Sequence, residues 1–295
     1  MSKFHGAWPA LATPFTAHNE VNTPVLTAFT RYLIGKGVDG FYVAGSTGEG
    51  IYMSVEERQR VAETVVTEAR GKVPVIVHVG TMVVRDAVTL SQHAAAIKAD
   101  GIASIIPANF TNLDSVYDYY VALSQAAPDV PLFCYLLNPN FDAVALMRRL
   151  KPIANLSGAK YTGPNMVEMR QIIDLGAGQW TIFSGMDEQC LYARMNGADG
   201  CIGSTLNYMP GVYKAIYRML ETGAFSLAQD LQYRANRTTL AMIDINYWGA
   251  MKDVISRLGF DYGQPRLPAR PLTAAQRDSL WQALEALNFG EFTAM

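Results

Sequence analysis

The chain has few of the features that mark a specialised environment. Among its 295 residues stand only three cysteines, Cys134, Cys190 and Cys201. Each sits in an apolar or small-residue context, which speaks against a disulfide framework and for reduced core thiols. No segment approaches about 18 uninterrupted apolar residues, so a membrane-spanning helix is not expected. The opening stretch MSKFHGAWPALATPF lacks an apolar core of signal-peptide length and is broken by Pro9 and Pro14, which predicts a soluble, cytoplasmic protein. Charged residues are sparse at 17%, the formal net charge is -2, and no basic run or stripe occurs. Nucleic acid and membranes are therefore not expected as partners.

Several chemical signatures are missing as well. There is no HExxH or paired CxxC, and His5, His18, His78 and His93 are isolated from one another, so no metal is expected. His78, inside the apolar VIVHVG, reads as a satisfied strand histidine. Neither a G-x-S-x-G nucleophile elbow nor a Walker A loop is present, which argues against a serine hydrolase and a nucleotide site.

What is present is a chain half apolar, enough to bury a large core. Length alone suggests roughly two domains, but α/β barrels reach about 250 residues as one. Periodicity decides. Eight short β-rich runs recur: GAWPALATPF near residue 6, GFYVAG at 40, VPVIVHVG at 73, IASIIP at 102, VPLFCYLL at 130, LSGAKYT at 156, WTIFSG at 180 and GCIGST at 200. Helical segments separate them, including Ser54 to Ala69, Arg85 to Ala99, Asn112 to Ala126 and Met166 to Leu175, the alternation of βα units. Strand runs without polar alternation suit a parallel sheet covered on both faces. Ser54-Val-Glu-Glu57 is a capping box, and Gly37, Gly71 and Gly101 are placed to end helices before the next strand.

This pattern predicts an α/β fold, a (β/α)8 TIM barrel with a C-terminal helical extension. A doubly wound open sheet is the alternative, but its glycine fingerprint is missing. Residues 207–292 show no further strand and carry helical patterns such as VYKAIYRMLE and TAAQRDSLWQALEAL. Residues 1–206 are therefore assigned the barrel strands and most barrel helices. Residues 207–295 are assigned the last barrel helix and the extension, in one continuous domain, with a Pro-rich connector from Gln264 to Pro271.

A barrel gathers its chemistry at the C-terminal ends of its strands. The sixth run, LSGAKYTGPN, ends on Lys160. A lysine normally stays on the surface because its ammonium is costly to bury. At a buried strand end, desolvation moves an amine toward a nucleophilic state. After the second run, GSTGEG (residues 45–50) sets the hydroxyls of Ser46 and Thr47 among glycine amides that can converge on a carboxylate or phosphate. The plainer reading is an ordinary glycine-rich loop. Tyr135, in FCYLLNP, reads either as a core residue or as a proton relay beside Lys160, since fifth and sixth strands are neighbours. SGMDE brings Asp187 and Glu188, and GCIGSTLN brings Ser204, Thr205 and Asn207. The acids read as helix N-terminal charge or, with the hydroxyls, as a lining for a polyhydroxylated substrate. Tyr208, Tyr247 and Trp248 read as helix packing rather than pocket wall. A strand-end lysine, a tyrosine and an anion-binding loop, without a metal-ligand pattern, point to Schiff-base chemistry.

Taken in order, GSTGE at 45–49, Tyr135, GAKYTGPN at 158–165, SGMDE at 184–188 and GADGCIGSTLN at 197–207 resemble the dihydrodipicolinate synthase and N-acetylneuraminate lyase family of class I aldolases. The likeness spans essentially the whole chain. Lys160 with Thr162, and Gly185 with Asp187 and Glu188, resemble the lyase branch's K-x-T and G-x-D-E. The resemblance implies cleavage or formation of a 2-keto-3-deoxy sugar acid, giving pyruvate and an aldehyde, with no cofactor beyond a covalent imine on Lys160. It implies that Tyr135 relays protons with Thr47, and that Ser46 and Thr47 hold the keto-acid carboxylate. Thr162, Gly185, Asp187, Glu188, Gly203 and Ser204 would meet the rest of the substrate, and a homotetramer is implied.

The chain also departs from the family. Asn109, in IIPANF, stands where the family usually carries a tyrosine, and is placed with the pocket lining. Tyr135-Leu-Leu-Asn-Pro139 has one residue more than usual before its proline. LLNPNFDA lacks the arginine that synthases use for their second substrate. Alternatives are an aldolase or dehydratase of a smaller sugar acid, a synthase-like condensation, or a non-catalytic keto-acid-binding paralogue.

Overall fold

The computed structural model describes residues 3–107, 112–137 and 142–295. The eight runs form eight parallel strands: β1 (Gly6–Pro9), β2 (Phe41–Val43), β3 (Val75–His78), β4 (Gly101–Ile105), β5 (Leu132–Leu137), β6 (Leu156–Thr162), β7 (Thr181–Ser184) and β8 (Gly200–Gly203). They pair in sequence from β2 to β8, and β8 pairs with β1. The remaining seam closes through Asp39 N–H to the Ala7 carbonyl at 3.1 Å and Leu11 N–H to the Tyr42 carbonyl at 2.8 Å. The fold is a (β/α)8 barrel.

Around it run α1 (Thr23–Gly35), α2 (Val55–Ala69), α3 (Val84–Ala96), α4 (Leu113–Ala126), α5 (Ala143–Leu150), α6 (Met166–Gly176), α7 (Cys190–Met195) and α8 (Pro210–Glu221). The C-terminal helices follow: α9 (Phe225–Ile245), α10 (Tyr247–Arg257), α11 (Ala274–Ala286) and α12 (Phe289–Ala294). Among the described residues no helix is long and apolar enough to cross a membrane. All three cysteines are free and buried.

Local chemistry sets the element ends. Ser54 Oγ accepts from the Glu57 N–H at 3.2 Å and Glu57 Oε2 accepts from the Ser54 N–H at 2.9 Å, the reciprocal cap that starts α2. Gly37 and Gly71 follow α1 and α2 with φ near +74°, as expected of helix-ending glycines. Gly101 does not fill that role. It opens β4, and the left-handed residue after α3 is Lys98, at φ 63°, so α3 stops before Ala99. Three acids in the helix-to-strand loops, Asp39, Asp100 and Asp199, each receive a strand N–H, from Ala7, Val75 and Ile182, at 2.7–2.9 Å. Barrel-bottom donors without a strand partner are thereby satisfied.

Two apolar layers result. One lies between strands and helices and includes Leu132, Cys134, Leu136, Leu156, Ala159 and Tyr161; the other fills the barrel with Phe4, Trp8, Ile76, Phe133, Phe183 and Ile202. Leu156 and Ala159 belong to the same outer layer although three residues separate them, which a regular strand forbids. The cause is a bulge. Leu132 faces Leu156, but Phe133 faces Gly158, so Ser157 is the extra residue. The bulge inverts the alternation of β6 from that point, and the inward set becomes Gly158, Lys160 and Thr162.

Gly158 makes the bulge possible. Its φ is +145° and a Cβ there would stand 1.8 Å from the Thr181 carbonyl oxygen. Gly158→Ala is therefore expected to lower stability by about 3 kcal/mol, from backbone strain and overpacking together. Gly71→Ala, also at positive φ but with open space around it, should cost about 1 kcal/mol. Urea unfolding of the two variants checks this; equal losses would remove the special role of Gly158.

Candidate active site

The inverted alternation of β6 carries Lys160 into the top of the barrel. In register across the β5–β6 pair, Tyr135 is directly opposite Lys160, the neighbourhood expected of fifth and sixth strands. The Lys160 ammonium is 4.4 Å from the centroid of the Tyr135 ring and 4.8 Å from that of Tyr42, and the residue is 5% exposed. Two aromatic faces thus take the place of water around a buried cation. Gly185 clears the path of the side chain. A Cβ there would meet Lys160 Cε at 2.9 Å and Thr162 Oγ1 at 1.8 Å.

Gly203 does the same for Asp187, whose Oδ1 lies 1.2 Å from the position a Cβ would take. Asp187 Oδ2 accepts from the Thr205 N–H at 2.9 Å and from Thr205 Oγ1 at 2.7 Å. Oδ1 of Asp187, Oγ1 of Thr162 and the Tyr42 hydroxyl are buried and find no hydrogen-bond partner among the described residues. Buried polar atoms left without a partner call for an explanation, and a ligand is one. Burial, then the charge of Glu188, push the Asp187 carboxyl up to about 7, against the Thr205 hydrogen bonds and the Lys160 charge, which pull it down.

On the β3 side the histidine is neutral. His78 Nε2 accepts the Ile105 N–H at 3.0 Å, and burial holds the ring's pKa well below the usual range. This matches the expectation of a satisfied strand histidine. Arg58, equally buried, donates to the carbonyls of Gly80 at 2.9 Å and His78 at 2.6 Å. Ser46 is exposed and Thr47 half-buried in the loop that follows β2. Glu188 is half-buried, with its carbonyl accepting from Asn236 Nδ2. Asn109 lies outside the described residues.

Some assignments shift. Asn207 is a brace: it accepts the Ala12 N–H and donates to the carbonyls of Ala10 and Ser204. Thr205 serves Asp187. Tyr247, expected to pack between helices, instead bonds Ser204 Oγ through its hydroxyl at 2.5 Å, which brings the first residue of α10 to the rim. Trp248 stacks edge-on against it, while Tyr208 packs on Phe289. No motif marks Tyr42 either. Its signal is positional: it is the inward residue of β2, just before the hydroxyl loop.

The raised Asp187 pKa has a consequence for stability. Since the folded value exceeds the ordinary 3.8, its stabilising contribution is fully present below about pH 4 and is lost as pH rises through about 7. Asp187→Asn keeps the acceptor for Thr205 and removes the titration. Its stability relative to wild type should therefore improve from pH 5 to pH 8 in urea unfolding. A difference independent of pH would show that the carboxyl is not titrating there.

Known proteins resemble the chain over nearly its whole length. The model of the dihydrodipicolinate synthetase family matches residues 3–287. The N-acetylneuraminate lyase of Danio rerio is 32% identical, with 98% of each chain covered, and that of Homo sapiens 33%, covering 99% of this chain and 95% of that one. Among solved structures, Proteus mirabilis N-acetylneuraminate lyase superposes with a TM-score of 0.93 at 31% identity, covering 98% of this chain and 100% of that one. Ruminococcus gnavus sialic acid aldolase superposes with a TM-score of 0.94 at 28% identity, covering 99% and 100%. On a match spanning nearly its whole length, the chain belongs to the dihydrodipicolinate synthetase family.

Proposed function

We propose that the protein is a class I aldolase that reversibly cleaves a 2-keto-3-deoxy sugar acid of the N-acetylneuraminate type to pyruvate and an aldehyde. The observation that carries this reading is the buried Lys160, held between the rings of Tyr135 and Tyr42 at the mouth of the barrel. The likeness to relatives named N-acetylneuraminate lyase supports the substrate class.

In this reading the unprotonated Lys160 amine adds to the C2 carbonyl and water leaves, forming an iminium. Tyr135 takes the proton of the C4 hydroxyl, with Thr47 completing the relay. The C3–C4 bond then breaks, its electron pair neutralises the iminium as an enamine, and the aldehyde departs. Protonation at C3 and hydrolysis release pyruvate and restore the amine. The covalent imine is the electron sink, so no further cofactor enters the scheme. Ser46 and Thr47 hold the carboxylate through hydroxyls and loop amides. Thr162, Asp187 Oδ1, Glu188 and Ser204 face the hydroxylated remainder, with Gly185 and Gly203 giving Thr162 and Asp187 their places and Tyr247 orienting Ser204, and Asn109, outside the described residues, is proposed for the same lining. A homotetramer in the cytoplasm completes the proposal.

Pyruvate release from N-acetylneuraminate and from a panel of shorter 2-keto-3-deoxy acids tests it. Lys160→Ala should abolish release, and Tyr135→Phe should reduce kcat by about 10²–10⁴ while the protein stays folded. Undiminished turnover in Tyr135→Phe would remove the relay, and turnover in Lys160→Ala would remove the imine. Release only from the shorter acids would move the substrate away from N-acetylneuraminate.

A further inference from the structure

A second lysine is buried more deeply than Lys160. Lys252, on α10, is 1% exposed and lies 2.8 Å from Glu49 Oε1, in an ion pair whose two side chains are each 2% exposed. Its ammonium also donates to the carbonyls of Thr13 at 3.0 Å and Gln264 at 3.1 Å, so two of its protons have carbonyl acceptors, and Glu49 Oε1, which makes no hydrogen bond among the described residues, balances its charge at ion-pair distance. Burial brings its pKa down to about 8, against the attraction of Glu49. Glu49 is equally committed: Oε2 accepts the Arg266 N–H at 2.6 Å. The Phe15 ring has the Lys252 ammonium and the Arg266 guanidinium each 4.1 Å from its centroid.

Such a pair is a weak source of stability, because desolvating two charges offsets most of their attraction. Its location is more informative. Glu49 stands two residues after Thr47, in a left-handed conformation at φ 58°. Its N–H binds the Ser46 carbonyl at 3.0 Å, and the next N–H, of Gly50, binds the Gly45 carbonyl at 3.0 Å. Thr13, whose carbonyl takes one Lys252 proton, donates its hydroxyl to the Gly48 carbonyl at 2.8 Å. The loop bearing Ser46 and Thr47 is thus anchored from beneath at Gly48 and Glu49, and both anchors meet at Lys252.

We propose that Lys252 and Glu49 are positioning residues of the keto-acid site, holding the Ser46–Thr47 loop in the shape that receives the substrate carboxylate. This rests on the assignment of that loop to the carboxylate in the reading above. Neither side chain touches the substrate; both act through the backbone of residues 46–50.

The test compares two ketones in the full-length protein. Borohydride trapping on Lys160 is followed against concentration for pyruvate, which carries a carboxylate, and for acetone, which does not. Lys252→Met and Glu49→Gln should each raise the half-saturating pyruvate concentration by about tenfold or more, the scale set by small misplacements of binding groups, and leave acetone trapping unchanged. The Glu49→Gln variant keeps an acceptor for Arg266 and decides the matter if Lys252→Met does not fold. Ser46→Ala, which leaves the Thr47 relay in place, serves as the control and should give the same split. Wild-type pyruvate dependence in the folded variants, beside a shifted control, overturns the positioning role. Equal loss of acetone and pyruvate trapping also overturns it, marking a purely structural pair. An unshifted control overturns the carboxylate assignment itself.

Discussion

The site depends on a change of parity in one strand. Side chains alternate along β6, and without the extra residue at Ser157 the set containing Lys160 would face the helices, in the layer that holds Leu156. A bulge at the base of the strand moves Lys160 to the inside, opposite Tyr135, and moves Tyr161 outside, where its hydroxyl meets Glu168 of α6 at 2.5 Å. A lysine among Cys134, Leu136 and the helix faces would have been an unpaired charge in an apolar layer. Register thus decides whether the same residue is a defect or stands where the proposed mechanism needs a nucleophile.

The layers below explain why a buried amine is tolerated here. The lower interior is closed by Phe4, Trp8, Phe133 and Phe183, with Phe4 edge-on to Phe133 at 5.0 Å. Above that plug the inward residues become polar or aromatic with polar tips: Tyr42, His78, Tyr135, Lys160 and Thr162. The apolar plug lies beneath this polar set, and the glycines at 185 and 203 make room for Lys160, Thr162 and Asp187 at the strand ends. His78 is uncharged, and around Asp187 the Glu188 charge opposes ionisation while the Lys160 charge draws the carboxyl back toward it.

Much of this is legible in the sequence. The eight apolar runs, their helical spacers and the strand-end motifs yield the barrel, and Lys160, Tyr135, Asp187 and the hydroxyl loop can be placed from spacing alone. The parts that are not legible share a physical reason: they depend on partners far along the chain. The bulge at Ser157 shows only in the register against β5. Gly101 resembles a helix stop because a glycine before a strand can serve either purpose, and Lys98 takes the left-handed position instead. Tyr247 and Lys252 lie in helical patterns where an aromatic reads as packing and a lysine as a solvated face. Only the fold brings α10 against Ser204 and Glu49.

The central claim is that, of two buried lysines, Lys160 is the one that reacts. The direct measurement is to incubate the folded protein with pyruvate, reduce with borohydride, digest, and map the modified peptide by mass. The account predicts a pyruvate-derived adduct on the peptide containing Lys160 and none on the peptide containing Lys252, which is held by the Thr13 and Gln264 carbonyls and the Glu49 carboxylate. No adduct, or one on another lysine, would contradict it.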